Sequence, residues 1–270
     1  MGTLSRSPLQ IQSYYRPGNS LDDSALEGLI NSIQIIAADC FDVLPPYQVM
    51  KGTRQALSDK LISLARDDVG IPAGFCSMVF LPVRGVGEVL HLGLTCVRPR
   101  FRGRHLTHLL VKKALTRYLF RHNPFGKIWI SNCAAVMSSL GNVAMHFERV
   151  YPSPFHAGKP GAVHVAIARA IDDHFRDKMY VLPDAVFDPE RFVFQGSVKN
   201  TVFHKKKIET ASHHRKQYLN RFYGRLMDFD QGDEVLQVGY FHLTSVVNYY
   251  LRQVRMKKML HVDNPALETF

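Results

Sequence analysis

No stretch of the 270-residue chain approaches the roughly 18 to 20 consecutive apolar residues that a bilayer-spanning helix needs. Met1 to Pro17 hold no continuous apolar run of secretory type, and Arg6 stands where a myristoylation signal carries a hydroxyl. Cysteine is scarce as well. Cys40, Cys76, Cys96 and Cys133 stand singly, without C-x-x-C spacing, which argues against a disulfide framework and reads as thiols of a reducing compartment. Together these absences lead us to expect a cytoplasmic protein with no transmembrane segment. There is no G-x-S-x-G, no G-x-x-x-x-G-K-[ST] and no G-x-G-x-x-G, which counts against an α/β-hydrolase, a P-loop enzyme and a dinucleotide enzyme. No repeat and no Ser/Gly-rich or Pro-rich linker divides the chain.

What is present is a folding composition, with 46% hydrophobic and 21% charged residues. The 34 basic and 23 acidic side chains leave a formal charge of +11. Such an excess points to an anionic partner, whether a phosphorylated cofactor, an acidic carrier protein, nucleic acid or an anionic membrane. Lysine and histidine concentrate between His204 and Lys216. No RNP, zinc-finger or helix-turn-helix signature accompanies them, so this run reads as a solvated face and nucleic acid is not the expected partner.

Periodicity predicts a strand over Leu9–Tyr15, a helix from Ser20 through Ile33 and a second helix over Thr53–Asp67. Ala73–Val83 and Glu88–Val97 form a hairpin about Arg84-Gly85-Val86-Gly87, followed by a helix over Gly103–Phe120. A strand over Lys127–Cys133, a helix over Ser138–Arg149 and a strand over Val163–Ile171 come next. In the last hundred residues, Phe192–Val198 and Glu234–Tyr240 read as strands, and Ser212–Met227 and Thr244–Met259 as helices.

The sharpest chemical signal is Glu88 to Leu110, EVLHLGLTCVRPRFRGRHLTHLL. An apolar strand stops at a proline, turns through Arg-Gly and enters an amphipathic helix. Backbone N–H groups without acceptors gather at such a helix start, where the dipole adds positive potential and suits a pyrophosphate. Arg102 and Arg104 add charge, and Gly103 lets the backbone approach a phosphate. His105 and His108 stand i, i+3 on this helix, but no third ligand at metal-site spacing follows, so no metal is expected.

Val97-Arg98-Pro99-Arg100-Phe101-Arg102-Gly103 resembles the acyl-CoA motif V-x-P-x-[YF]-R-G of the GCN5-related N-acetyltransferase (GNAT) superfamily. The likeness covers about residues 8 to 171 and implies an α/β fold, a mixed, mostly antiparallel splayed sheet flanked by helices. Residues 1–171 would form the acyltransferase core and 172–270 a C-terminal α/β extension. It further implies an acetyl-CoA or other acyl-CoA donor. Backbone at Leu94, Cys96 and Val97 would meet the pantetheine arm, and Arg102, Gly103, Arg104, His105, Leu106 and Thr107 would hold the pyrophosphate. Two later positions of the signature, glycine and glycine or alanine in the family, are His105 and Thr107 here.

The resemblance also proposes the proton carriers. The glutamate that serves as base in histone-acetyltransferase-like relatives falls on His91, with Glu88 as runner-up. The family's tyrosine acid is replaced by Phe147, which leaves Tyr151, and more weakly Ser139 and His146, to protonate the thiolate. The implied activity is transfer of an acyl group to the amine of a small molecule or peptide. Asp172, Asp173 and Asp177 read either as groups facing a cationic acceptor or as a solvated acidic cluster. Two alternatives remain: an acidic acyl carrier protein as donor, or a catalytically degenerate GNAT-like module. The module would hold an anionic partner through His204–Lys216 and Arg252–Lys258.

Overall fold

The computed structural model describes residues 8–156, 158–204 and 213–245. In chain order it comprises β1 (Gln10–Tyr15), α1 (Pro17–Ser20), α2 (Asp23–Ala38), 3-10 turns at Gln48–Lys51 and Gln55–Leu57, β2 (Lys60–Arg66), β3 (Pro72–Val83) and β4 (Gly87–Val97). A 3-10 turn at Pro99–Phe101 leads to α3 (Leu106–His122), β5 (Ile128–Ala134), α4 (Met137–His146) and β6 (Glu148–Tyr151). Next come α5 (Ala162–His174), α6 (Arg176–Met179), β7 (Val186–Asp188), β8 (Val193–Gln195), α7 (Gln217–Gly224) and β9 (Glu234–Phe241). The strands form one sheet in the order β1-β2-β3-β4-β5-β9-β8-β7, with β6 paired to β9. Every pairing is antiparallel except that of β4 with β5. The architecture is thus a mixed, mostly antiparallel α/β sheet flanked by helices.

Helices cover both faces of the sheet. Asp22 caps α2 by accepting the Ala25 amide at 2.8 Å, and Leu29, Ile33 and Ile36 then recur at helical spacing against Ile62, Leu64 and Phe75. On the opposite face, Leu106, Leu110 and Ala114 of α3 pack on Leu61, Ala65 and Met78. Burying each of the larger side chains contributes about 1.5–3 kcal/mol. α5 shares the α2 face, with Ile167 and Ile171 against Val79, Leu81 and Leu236.

This two-sided burial explains two corrections. Thr53–Asp67 is not a helix: its second half is β2, whose Leu61 faces α3 while Ile62 and Leu64 face α2. A strand buried on both faces becomes a continuous apolar run, which by chance matched a helical period. Conversely, Val163–Ile171 is not a strand but α5, burying His164, Ile167, Ala168 and Ile171 at spacings of three and four.

The Ser212–Met227 helix shortens to α7, and the Phe192–Val198 strand to β8. Most of the predicted Thr244–Met259 helix, residues 205–212 of the His204–Lys216 run and Arg252–Lys258 lie outside the described residues. β9 pairs with β5 from Ile128↔Phe241 to Ala134↔Val235, so the sheet runs without a break across the boundary expected at residue 171. None of the described helices is long and apolar enough to cross a membrane.

Candidate active site

β4 and β5 run in parallel from the Val89↔Trp129 pair to the Leu92↔Asn132 pair, and beyond it they part. Each then stays with its outer neighbour, β4 with β3 and β5 with β9. The parting coincides with a bulge on β4. Leu92 lies opposite Met78 and Thr95 opposite Cys76, so Gly93 and Leu94 together oppose Ser77. The extra residue resets the alternation, bringing Leu92 and Thr95 to the α3 side and His91 and Leu94 to the α2 side.

A cavity opens on each side of this split. The first, about 320 Å³, is walled by Thr107, His108 and Val111 of α3, Asn142 and Val143 of α4, and Thr95. The second, about 210 Å³, is walled by Tyr47, Tyr180, Phe203, His91 and Glu234. Leu92, Gly93, Asn132 and Ser139 line both, so the cavities meet at the split. A buried network steadies the junction. Asn132 Nδ2 donates to Gln237 Oε1 at 3.0 Å, and Gln237 Nε2 donates to the Tyr223 hydroxyl at 2.7 Å and the Leu140 carbonyl at 3.1 Å. Ser139 Oγ donates to Asn132 Oδ1 at 3.5 Å.

At the end of the first cavity, Arg102 Nε donates to the Val97 carbonyl at 3.3 Å. Gly103 (φ 73°) and His105 (φ 55°) both adopt left-handed backbone, the turn that starts α3. His105 makes no side-chain cap, so the first-turn amides at Leu106 and Thr107 have no acceptor within the helix. The Arg100 and Arg104 guanidinium groups lie 4.7 and 6.0 Å from the centre of the Phe101 ring.

The residues expected to bind a donor therefore divide. Thr107 lines the first cavity, whereas Leu106 is buried beneath it. The Leu94 side chain lines the second cavity instead, and Cys96 is buried in the α2-side core, leaving only their backbone to serve a donor. Val97 packs in the α3-side core. Thr95, Val111 and Asn142 were not expected at the site and His108 was weighed only as a metal ligand, although the phase of α3 places His108 and Val111 on the face of Thr107.

The proton carriers are rearranged more strongly. Glu88 sits at the far end of β4, ion-paired with Arg16 and accepting the Tyr118 hydroxyl at 3.3 Å. Tyr151 donates its hydroxyl to the Glu190 carbonyl at 2.6 Å. Neither lines either cavity. His91 lines the second cavity, buried, with Nδ1 3.0 Å from Ser131 Oγ, and burial pushes its pKa down to about 3. His146 lines the first cavity, and burial lowers its pKa too. Asp172 is held by Arg176 at 2.5 Å. Among the described residues no group of three or more His, Cys, Asp or Glu side chains is arranged to hold a metal ion.

One buried acid was missed. Glu234 begins β9, and period-two alternation puts it with Leu236 and Val238 on the buried α5 side. Ser197 Oγ donates to its Oε2 at 2.6 Å and the Cys133 thiol at 3.8 Å, while burial pushes the carboxyl pKa up to about 7. Its only signal in the sequence is an acid on the apolar phase of EVLQVGYF.

No protein-family model matches the chain, and no curated protein matches its sequence. Several solved structures are similar in part. An acyl-CoA N-acyltransferase from Pseudomonas aeruginosa shares 19% identity over 53% of this chain and 91% of that one, with a TM-score of 0.38. The NatC complex bound to Gag peptide and CoA shares 21% over 52% of this chain and 86% of that one, with a TM-score of 0.36. The GCN5-related glucosamine N-acetyltransferase region of a fungal multi-domain GH3 beta-N-acetylglucosaminidase shares 17% over 62% of this chain, with a TM-score of 0.34. That match spans only 17% of the longer fungal chain. The chain's own topology supplies the decisive feature, a lone parallel pair that splays at a bulge and feeds an Arg-Gly turn into a helix. The arrangement agrees with the fold that the sequence resemblance implies. β4 and β5 bound the cleft, α3 follows the Arg-Gly turn, and β9 extends the sheet beyond β5.

Proposed function

We propose that the protein is an N-acyltransferase that takes an acyl group from acyl-CoA and delivers it to an amine by direct attack on the thioester. The observation that carries this reading is the split itself, with a cavity on each face and a common floor at Leu92, Gly93, Asn132 and Ser139. Donor and acceptor can then approach one point from opposite sides, and the entropy of bringing them together is met by binding.

In this reading the donor lies in the first cavity. Its pantetheine amides meet the edge of β4 from Gly93 to Val97, which β5 has left unpaired. Its phosphates sit at the first turn of α3, near Arg102, Gly103, Arg104, His105 and Thr107, where amide dipoles and positive charge converge. The amine nitrogen forms the C–N bond as the C–S bond breaks, and the proton the nitrogen sheds passes to the departing thiolate by way of the Ser139 hydroxyl at the junction. His91, which would gain a proton only near pH 3, is a neutral wall of the acceptor side in this scheme.

Calorimetric titration of the full chain with CoA, acetyl-CoA, a long-chain acyl-CoA and an acyl carrier protein tests the donor half. We expect saturable CoA binding that Val111→Trp abolishes by filling the first cavity, with the thermal unfolding transition retained. Binding of the acylated carrier protein alone would move the donor assignment to that class. Absence of binding by every donor would reject the acyltransferase reading in favour of a non-catalytic module for an anionic partner.

A further inference from the structure

The second cavity joins two features that recur in sites for organic cations. Three aromatic rings stand edge to face along it. Tyr47 and Tyr180 have centroids 5.5 Å apart, Tyr180 and Phe203 5.1 Å, and Tyr47 and Phe203 6.0 Å. Tyr47 is buried, whereas Tyr180 and Phe203 are half-exposed and form the outer wall. Deeper in lies the Glu234 carboxyl, held by two neutral donors, Ser197 and Cys133. Among the described residues no lysine, arginine or histidine forms an ion pair with it. A buried carboxylate without a cation is costly, and a ligand that supplies the missing charge recovers that cost.

We infer that this cavity is the acceptor site, that it selects a protonated primary amine on an apolar or aromatic group, and that Glu234 receives the ammonium proton. The inference rests on the acyltransferase reading for its chemistry, but the amine site itself can be tested without a donor. The rings offer their faces and edges to the apolar group and to the cation, while the carboxylate pairs with the ammonium. The proton balance then closes. The ammonium gives one proton to Glu234 and becomes a free amine, which forms the C–N bond as the C–S bond breaks. The second nitrogen proton goes to the leaving thiolate, so amide and thiol depart, and Glu234 returns its proton to solvent.

The groups facing Glu234 favour this role. Cys133 on β5 and Tyr47 are both pushed up by burial and by the carboxylate, so they stay neutral, as does His91 on β4. The Glu234 carboxyl, raised to about 7, is ionised above neutrality and protonated below it. Activity should accordingly fall as the pH drops through about 7.

The test uses the full chain and two probes of similar shape, phenethylamine and uncharged 2-phenylethanol. By calorimetry at about pH 8 we expect the amine to bind at least about tenfold more tightly than the alcohol, and the preference to vanish at about pH 5.5. Glu234→Gln, nearly isosteric, should remove the preference while leaving CoA affinity within about twofold, and should lower kcat/KM with acetyl-CoA about 100-fold with loss of the acidic limb. Tyr180→Ala, on the rim, should weaken the amine about fivefold. Equal binding of the two probes, no binding of either, or an intact preference in Glu234→Gln would overturn the inference. An amine preference in a protein that binds no CoA would keep the cation site and reject the acyltransferase.

Discussion

His105 opens α3 with a left-handed backbone, φ 55°, at the position where the GNAT signature carries glycine. The side chain costs the turn some strain, since only glycine enters this region freely, but the amide groups around it keep their direction. His105→Gly should therefore hold stability level or raise it by up to about 1 kcal/mol, because relief of strain is partly offset by the greater freedom of the unfolded chain. A denaturant melt checks this, and calorimetry should find CoA binding tightened several-fold as the cradle opens; a loss exceeding about 1 kcal/mol would refute the strain account. Single residues also show what lies beyond local pattern. Glu88 and Tyr151 have suitable chemistry but pair with Arg16 and the Glu190 carbonyl, while Glu234 lies 143 positions beyond His91 in the chain and on the same cavity wall.

Among the elements, β9 couples most of the others. It pairs with β5, β6 and β8, and its fully buried Gln237 ties β5 to α4 and α7 through Asn132, the Leu140 carbonyl and Tyr223. Gln237→Ala would leave these partners unsatisfied around a void, at a cost of about 2–4 kcal/mol. Because Asn132 also floors the split, the same variant should weaken donor binding; a melt and a CoA titration read both effects, and a change below about 0.5 kcal/mol would show that the network carries little. Element type was legible wherever one face met solvent or a turn intervened, as for α2, the β3–β4 hairpin and α3. It was obscured for β2, apolar on both faces, and for α5, where Val163, Val165 and Ile167 fall at the period of a strand.

The described strands form a single sheet whose edges lie in different halves of the chain: β1 at one end, β7 at the other, and the late-coming β9 seated between β5 and β8. A chain ended at residue 171 would expose the β5 edge and the apolar side chains that Leu236 and Val238 cover. Such a fragment should aggregate or lack a cooperative melt, and a sharp two-state transition on heating would contradict this view of the core. The sequence alone determined the α/β class and the strand–turn–helix with its Arg-Gly start. These depend on residues close in the chain, where periodicity and backbone sterics act. The split between β4 and β5, the two cavities meeting at Ser139 and the pairing of Glu234 with a ring cluster from Tyr47, Tyr180 and Phe203 were decided by tertiary structure alone. They arise from strand order and a one-residue bulge, which bring distant side chains to one point and which no local pattern encodes.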